Sequence, residues 1–224
     1  MVAEGSLTLK GVLIRILSPG LSGVNYLWND GITSQSRNTV SAASYTVTVN
    51  DNNSCSTTIA VVITQPTALA LTESHANILC NGVNTGSINI SSSGGTTPYA
   101  FQWSDGITTP NRANLPAGSY TVTVNDNNSC SSSLNISITQ PPALNISETH
   151  NNVLCNGANT GSISVTATGG TSPVSFIWND GNTSSTRNNV TAGSYSVTVS
   201  DNNACSSSLS IGITQPTPLT VSES

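Results

Sequence analysis

The residues able to do chemistry in this 224-residue chain recur at one spacing, 75 positions. Nine of its ten acidic residues keep that register: Asp30, Asp105 and Asp180; Asp51, Asp126 and Asp201; Glu73, Glu148 and Glu223, with Glu4 alone outside it. The Asp-Asn-Asn segments and the glutamates that follow them are oxygen donors, and calcium gathers about six to eight oxygens. Asp51, Asp126, Asp201, Glu73 and Glu148 are therefore the candidate calcium ligands, and no other cofactor is expected. The competing reading, which we favour, is that these aspartates bond to nearby backbone and set turns. Arg37, Arg112 and Arg187 stand seven residues after the aspartates of the Asp-Gly turns, a spacing that fits a local ion pair.

The five cysteines keep the same register, as Cys55, Cys130 and Cys205 and as Cys80 and Cys155, with no Cys-x-x-Cys among them. That pattern argues against zinc and for disulfides in an oxidising compartment. The preferred connectivity lies within each repeat, Cys80 with Cys130 and Cys155 with Cys205, each closing a loop of about 50 residues worth roughly 4 kcal/mol. Cys55 is then left over, since the position 75 residues before Cys80 is Gly5. The rival pairing, Cys55 with Cys80 and Cys130 with Cys155, ties neighbours together and orphans Cys205. Spacing alone does not choose between them.

No histidine recurs beside a nucleophile, so nothing here resembles a base oriented for catalysis, and no enzyme is expected. Trp28, Trp103 and Trp178 could be sugar-stacking platforms, but one tryptophan per small β module is more often a core anchor. With Tyr45, Tyr120 and Tyr195 they are assigned to the core.

The elements that must hold these residues are strands. In Gly118 to Asp126, Tyr120, Val122 and Val124 alternate with Ser and Thr at the two-residue period of a half-buried strand. Similar alternation marks residues 86–90, 99–103, 134–138 and 143–147, with Gly, Pro, Asn or Asp between. Asp105-Gly106 and Asp180-Gly181 are tight-turn pairs, and Asp126-Asn127-Asn128 suits the left-handed backbone of a loop. Short strands at this spacing predict an all-β fold of tandem Ig-like antiparallel sandwiches in an extended array. The Gln-Pro pairs at Gln65, Gln140 and Gln215 mark the boundaries: 1–66 an incomplete first repeat, 67–141 and 142–216 the second and third, and 217–224 the opening strand of a further repeat or a donor strand for a neighbour.

Only 7% of residues are charged and the net charge is −5. Without clustered Lys and Arg, nucleic acid is not an expected partner. No apolar run is long enough to span a bilayer, and Met1 to Leu17 makes a poor signal peptide because Glu4, Lys10 and Arg15 interrupt it.

The ordered string Cys-Asn-Gly, Gly-Ser-Ile, Gly-Gly-Thr-x-Pro, aromatic-x-Trp-x-Asp-Gly, Ala-Gly-Ser-Tyr-x-Val-Thr-Val and Asp-Asn-Asn-x-Cys runs from Cys80 to Cys130, and a close copy runs from Cys155 to Cys205. It resembles the SprB-type repeat of large surface adhesins in gliding Bacteroidetes. That resemblance implies an extracellular, cell-surface protein, exported by the type 9 system, acting in adhesion or gliding. The expected function is a structural stalk or filament whose partners are neighbouring repeats or copies of itself. The alternative is a glycan-binding module acting through multivalency.

Overall fold

A computed structural model describes the backbone of residues 13–15 and the whole of residues 23–222. The expectations placed on Glu4, Gly5 and Glu223 lie outside the described residues, as does most of the Met1 to Leu17 segment.

The chain divides into two units, Met1–Ala68 and Leu69–Ser224. In the first, β1 (Leu13–Arg15) pairs with β3 (Ser36–Asn38), while β2 (Asn25–Trp28), β4 (Ala43–Asn50) and β5 (Ser56–Ile63) form a sheet in the order β2-β4-β5. Its core is Tyr26, Trp28, Val40, Tyr45, Val47 and Val49.

The second unit holds two six-stranded sandwiches. One comprises β6 (Ala70–Ala76), β7 (Gly86–Ser93), β8 (Ala100–Trp103), β9 (Asn111–Leu115), β10 (Gly118–Asn125) and β11 (Ser131–Ile138); its sheets run β6-β7-β9 and β8-β10-β11. The other repeats it with β12 (Asn145–Asn151), β13 (Gly161–Thr168), β14 (Ser175–Trp178), β15 (Thr186–Val190), β16 (Gly193–Ser200) and β17 (Ser206–Ile213), in sheets β12-β13-β15 and β14-β16-β17. Every pairing is antiparallel. This is the Ig-like arrangement, with the first, second and fourth strands facing the third, fifth and sixth.

The alternating sequence explains the layers. Val122 and Val124 point inward from β10 while Thr121 faces solvent, and they meet Ile88 and Ile90 of β7 across the core, with Trp103, Leu115, Ile136 and Ile138 around them. The third repeat buries Ile163, Val165, Trp178, Val190, Val197, Val199, Ile211 and Ile213 in the same places. Strands β9 and β15 were not anticipated. Each is a polar run, Asn-Arg-Ala-Asn-Leu and Thr-Arg-Asn-Asn-Val, with one buried residue, Leu115 or Val190, and a left-handed residue, Asn114 or Asn189, that breaks the two-residue period. Residues 214–222 carry no strand, and Leu219 and Val221 are almost fully exposed.

Candidate functional site

Each tryptophan of the register is a core residue whose ring is covered. Trp103 is 1% exposed and its Nε1 donates to Thr109 O at 2.8 Å. The Arg112 guanidinium lies 5.1 Å from the Trp103 ring and 5.4 Å from the Tyr120 ring, and pairs with Asp105. Arg37 with Trp28, Tyr45 and Asp30, and Arg187 with Trp178, Tyr195 and Asp180, repeat the cluster. The arginine hydrogen bond leads in holding the Asp105 and Asp180 carboxyls below their ordinary value. A cation stacked on aromatic faces leaves no open platform for a sugar on that side of the indole.

Tyr120 closes the corner between β9 and β10: its hydroxyl donates to Pro116 O at 2.8 Å, as Tyr45 does to Ser41 O and Tyr195 to Thr191 O, each at 3.0 Å. This is the tyrosine corner of Ig-like sandwiches. Tyr120→Phe is expected to keep the fold and lose about 1 kcal/mol, the net worth of one such bond, measured as a shift in the urea midpoint.

The aspartates of the Asp-Asn-Asn segments are engaged by backbone. Asp201 Oδ1 accepts the N–H groups of Asn203 and Cys205, each at 2.9 Å, and Oδ2 accepts that of Thr171 at 2.8 Å. Asp126 does the same with Asn128, Cys130 and Thr96, and Asp51 with Asn53 and Cys55. Each of these carboxylates in the second unit therefore ties the loop between its last two strands to the loop before β8 or β14. Gly95 and Gly170 are left-handed, and an added Cβ would stand 2.8 and 3.0 Å from the carboxylate, so close packing as well as backbone conformation calls for glycine. The left-handed residue of the aspartate loop itself is Ser54, Ser129 or Ala204, just beyond the Asp-Asn-Asn segment that was expected to supply it.

Burial works to raise the Asp126 pKa, but the N–H groups of Cys130, Thr96 and Asn128 outweigh it and leave the carboxyl below the ordinary 3.8. Asp201 is also lowered, chiefly by the Thr171 N–H, against burial and with help from Cys205 and Asn203. A carboxyl depressed in the folded state adds stability above its unfolded pKa, and that contribution is lost as pH falls through the folded value. The second unit should therefore hold its urea midpoint from neutral pH down toward 4 and lose it below 3.8, with a smaller acid-induced loss in the Asp126→Asn, Asp201→Asn double variant.

The structure does not bring the proposed calcium ligands together. Glu73 and Glu148 instead face His75 and His150, each at 3.0 Å, and the described residues contain no group of three His, Cys, Asp or Glu side chains able to hold a metal.

The cysteines define a site at the junction between the second and third repeats. The β6–β7 loop is pinned to the exit of its own last strand: Ile78 N–H donates to Thr139 O at 2.9 Å, Asn81 Nδ2 to Pro141 O at 2.9 Å, and Gly82 N–H to the Gln140 side chain at 2.9 Å. Cys80 therefore lies at the end of β11, whereas Cys130 lies at its start. The nine steps from Cys130 to Thr139, at about 3.3 Å each, span about 30 Å, and a disulfide needs Cα atoms within about 7 Å. Pairing inside a repeat is excluded by the direction of the strands. The same geometry puts Cys155 at the end of β17, since Val153 N–H donates to Thr214 O.

The bond that forms joins Cys80 to Cys205, with Cα atoms 5.5 Å apart and 125 residues between them. Cys55, Cys130 and Cys155 are free thiols, so both connectivities weighed from the sequence are corrected. Around the bond, Asn203 Nδ2 donates to Leu79 O at 3.0 Å, and Gly170 N–H donates to Pro142 O at 3.0 Å. Gln140 and Pro141 are thus held by the second repeat and Pro142 by the third.

The family model of the SprB repeat matches residues 72–108 and 147–183, each stretch running from the first strand of a sandwich through the cysteine of the next loop, Cys80 or Cys155, to the Asp-Gly turn. Those two stretches are similar to the SprB repeat. The solved structures similar to it include the three N-terminal domains of the bacteriophage RB49 Highly Immunogenic Outer Capsid protein, at 14% identity and TM-score 0.48, covering 94% of this chain and 96% of that one. Another is the N-terminal eight Ig domains of Down Syndrome Cell Adhesion Molecule isoform 1.30.30, at 12% identity and TM-score 0.46, covering 94% of this chain and 35% of that one. No curated protein matches in sequence. SprB repeats are found in cell-surface proteins, and the disulfide is consistent with an extracellular location. The SprB-repeat similarity supports an extracellular adhesin-type repeat protein, a kind that is usually non-enzymatic.

Proposed function

We propose that this chain is a structural stalk or fibre segment of a secreted bacterial surface adhesin or filament, serving adhesion or gliding by spacing and display rather than by catalysis. The observation that carries this reading is the junction between the second and third repeats. There a disulfide, the Asn203 to Leu79 bond and a linker held from both sides oppose bending between neighbours. A spacer needs such joints, whereas a binding module needs an open site. The covered tryptophans and engaged aspartates support the spacer, because the residues that keep register serve the fold. The reading calls for no cofactor, and it takes display at the cell surface and export by the type 9 system from the SprB resemblance.

The alternative, weak glycan binding multiplied by many copies, is tested by presenting the full chain multivalently on a glycan array. The stalk reading expects no retained glycan. Binding that soluble sugar competes away, and that survives in each of two repeats, would replace it with the adhesive reading.

A further inference from the structure

The joint between the second and third repeats has two halves, and each half recurs in this chain with its cysteine unpaired. One half is the β6–β7 loop, which offers the Cys80 thiol and the Leu79 carbonyl. Its counterpart in the third repeat, the β12–β13 loop, is held in the same way. Asn156 Nδ2 donates to Pro216 O at 3.0 Å and Gly157 N–H to the Gln215 side chain at 2.8 Å, matching Asn81 and Gly82 within 0.1 Å. In that loop Cys155 is an exposed free thiol and Leu154 is 77% exposed.

The other half is the Asp-Asn-Asn-x-Cys loop, which offers Asn203 and Cys205. The first repeat carries the same loop as Asp51, Asn52, Asn53, Ser54 and Cys55. Asp51 accepts the N–H groups of Asn53 at 2.9 Å and Cys55 at 2.8 Å, and Ser54 takes the same left-handed φ of 64° that Ala204 takes at 61°. Cys55 is an exposed free thiol as well, unlike the half-buried Cys130 of the second repeat. The residues that join consecutive repeats therefore recur in two further loops held in the same way, each with its cysteine exposed and unpaired.

We infer that these sites are complementary, and that copies of this chain join head to tail through a disulfide between Cys155 of one copy and Cys55 of the next, with Asn53 donating to the Leu154 carbonyl. The inference goes beyond the stalk reading, since a spacer needs no covalent bond between chains. The chemistry balances with a disulfide oxidant. The Cys155 thiolate attacks oxidised glutathione and releases one glutathione thiolate; the Cys55 thiolate of the second copy then attacks the Cys155 sulfur of the mixed disulfide and releases the other. The two protein thiols lose two protons and two electrons, and one oxidised glutathione becomes two reduced molecules.

The test is oxidation of the purified full chain with oxidised glutathione, read by non-reducing electrophoresis and by mass mapping of the cross-linked peptides. The wild type should give a ladder of multimers that reductant collapses, with Cys155 joined to Cys55 as the intermolecular bond. Cys155→Ser and Cys55→Ser should each stay monomeric, whereas an equal mixture of the two variants should stop at dimers, because each supplies one half of a single joint. Cys130→Ser should leave the ladder intact. The mapped Cys80 to Cys205 bond in every variant shows that the second unit has folded. A wild type that stays monomeric, or multimers joined through Cys130 or through like pairs such as Cys155 to Cys155, would overturn the inference whatever the glycan array shows.

Discussion

Trp103→Ala is expected to unfold the second repeat. The side chain is 1% exposed, lies among Ile88, Val122 and Ile136, bonds to Thr109 O, and carries the stacked Arg112 guanidinium. Truncating a buried tryptophan costs about 3–5 kcal/mol, through lost transfer energy and the cavity left behind. Marginal stability of roughly 0.05–0.15 kcal/mol per residue allows a repeat of this size only about 4–11 kcal/mol. The loss is therefore comparable to all that holds the module folded. The measurement is urea unfolding followed by the fluorescence of the remaining tryptophans, with exchange protection showing which repeat opens. Protection should vanish across β7, β8 and β10 and persist across β13, β14 and β16. An unchanged midpoint would mean that Trp103 is not the anchor of its core.

The second large effect is expected from Cys80→Ser. The disulfide encloses 125 residues and so restrains most of the unfolded second unit. In the chain-entropy account a loop of this order contributes roughly 5 kcal/mol. The variant, and the wild type under reductant, should both unfold at a lower urea concentration than the oxidised wild type and agree with each other. Cys130→Ser and Cys155→Ser should leave the monomer's midpoint where it was. Had the bonds formed inside the repeats, Cys130→Ser would be as damaging as Cys80→Ser, so the pattern across the three variants carries the information.

The strands were legible in the residues and the joint was not, for one physical reason. Alternation is local: Tyr120, Val122 and Val124 announce β10 wherever the chain goes, because a strand's two faces are set by successive residues. The polar runs of β9 and β15 give no such signal, and only the register of Arg112 and Arg187 with a tryptophan and a tyrosine hinted that those segments lie against the core. Pairing of cysteines is not local. Cys80 and Cys130 are close in sequence and lie at opposite ends of β11, whereas Cys80 and Cys205 are 125 residues apart and meet because the exit of one sandwich abuts the loops of the next. The topology held the clue. A cysteine just after the first strand of an Ig-like sandwich sits at the end opposite the loop between its last two strands, so within-repeat pairing fails once the fold is taken seriously. The aspartates gave a similar lesson, for the reading that made them turn-formers fits Asp126 and Asp201, whose oxygens hold three backbone N–H groups each.

The most direct test of the joint is a tryptic digest of the oxidised Cys55→Ser chain without reduction. Cleavage after Arg37, Arg112 and Arg187 isolates residues 38–112 with Cys80, 113–187 with Cys130 and Cys155, and 188–224 with Cys205. A bond across the junction predicts one cross-linked species, 38–112 with 188–224, and a free 113–187 peptide bearing two thiols. Recovery of 113–187 bonded to either of the others would contradict it.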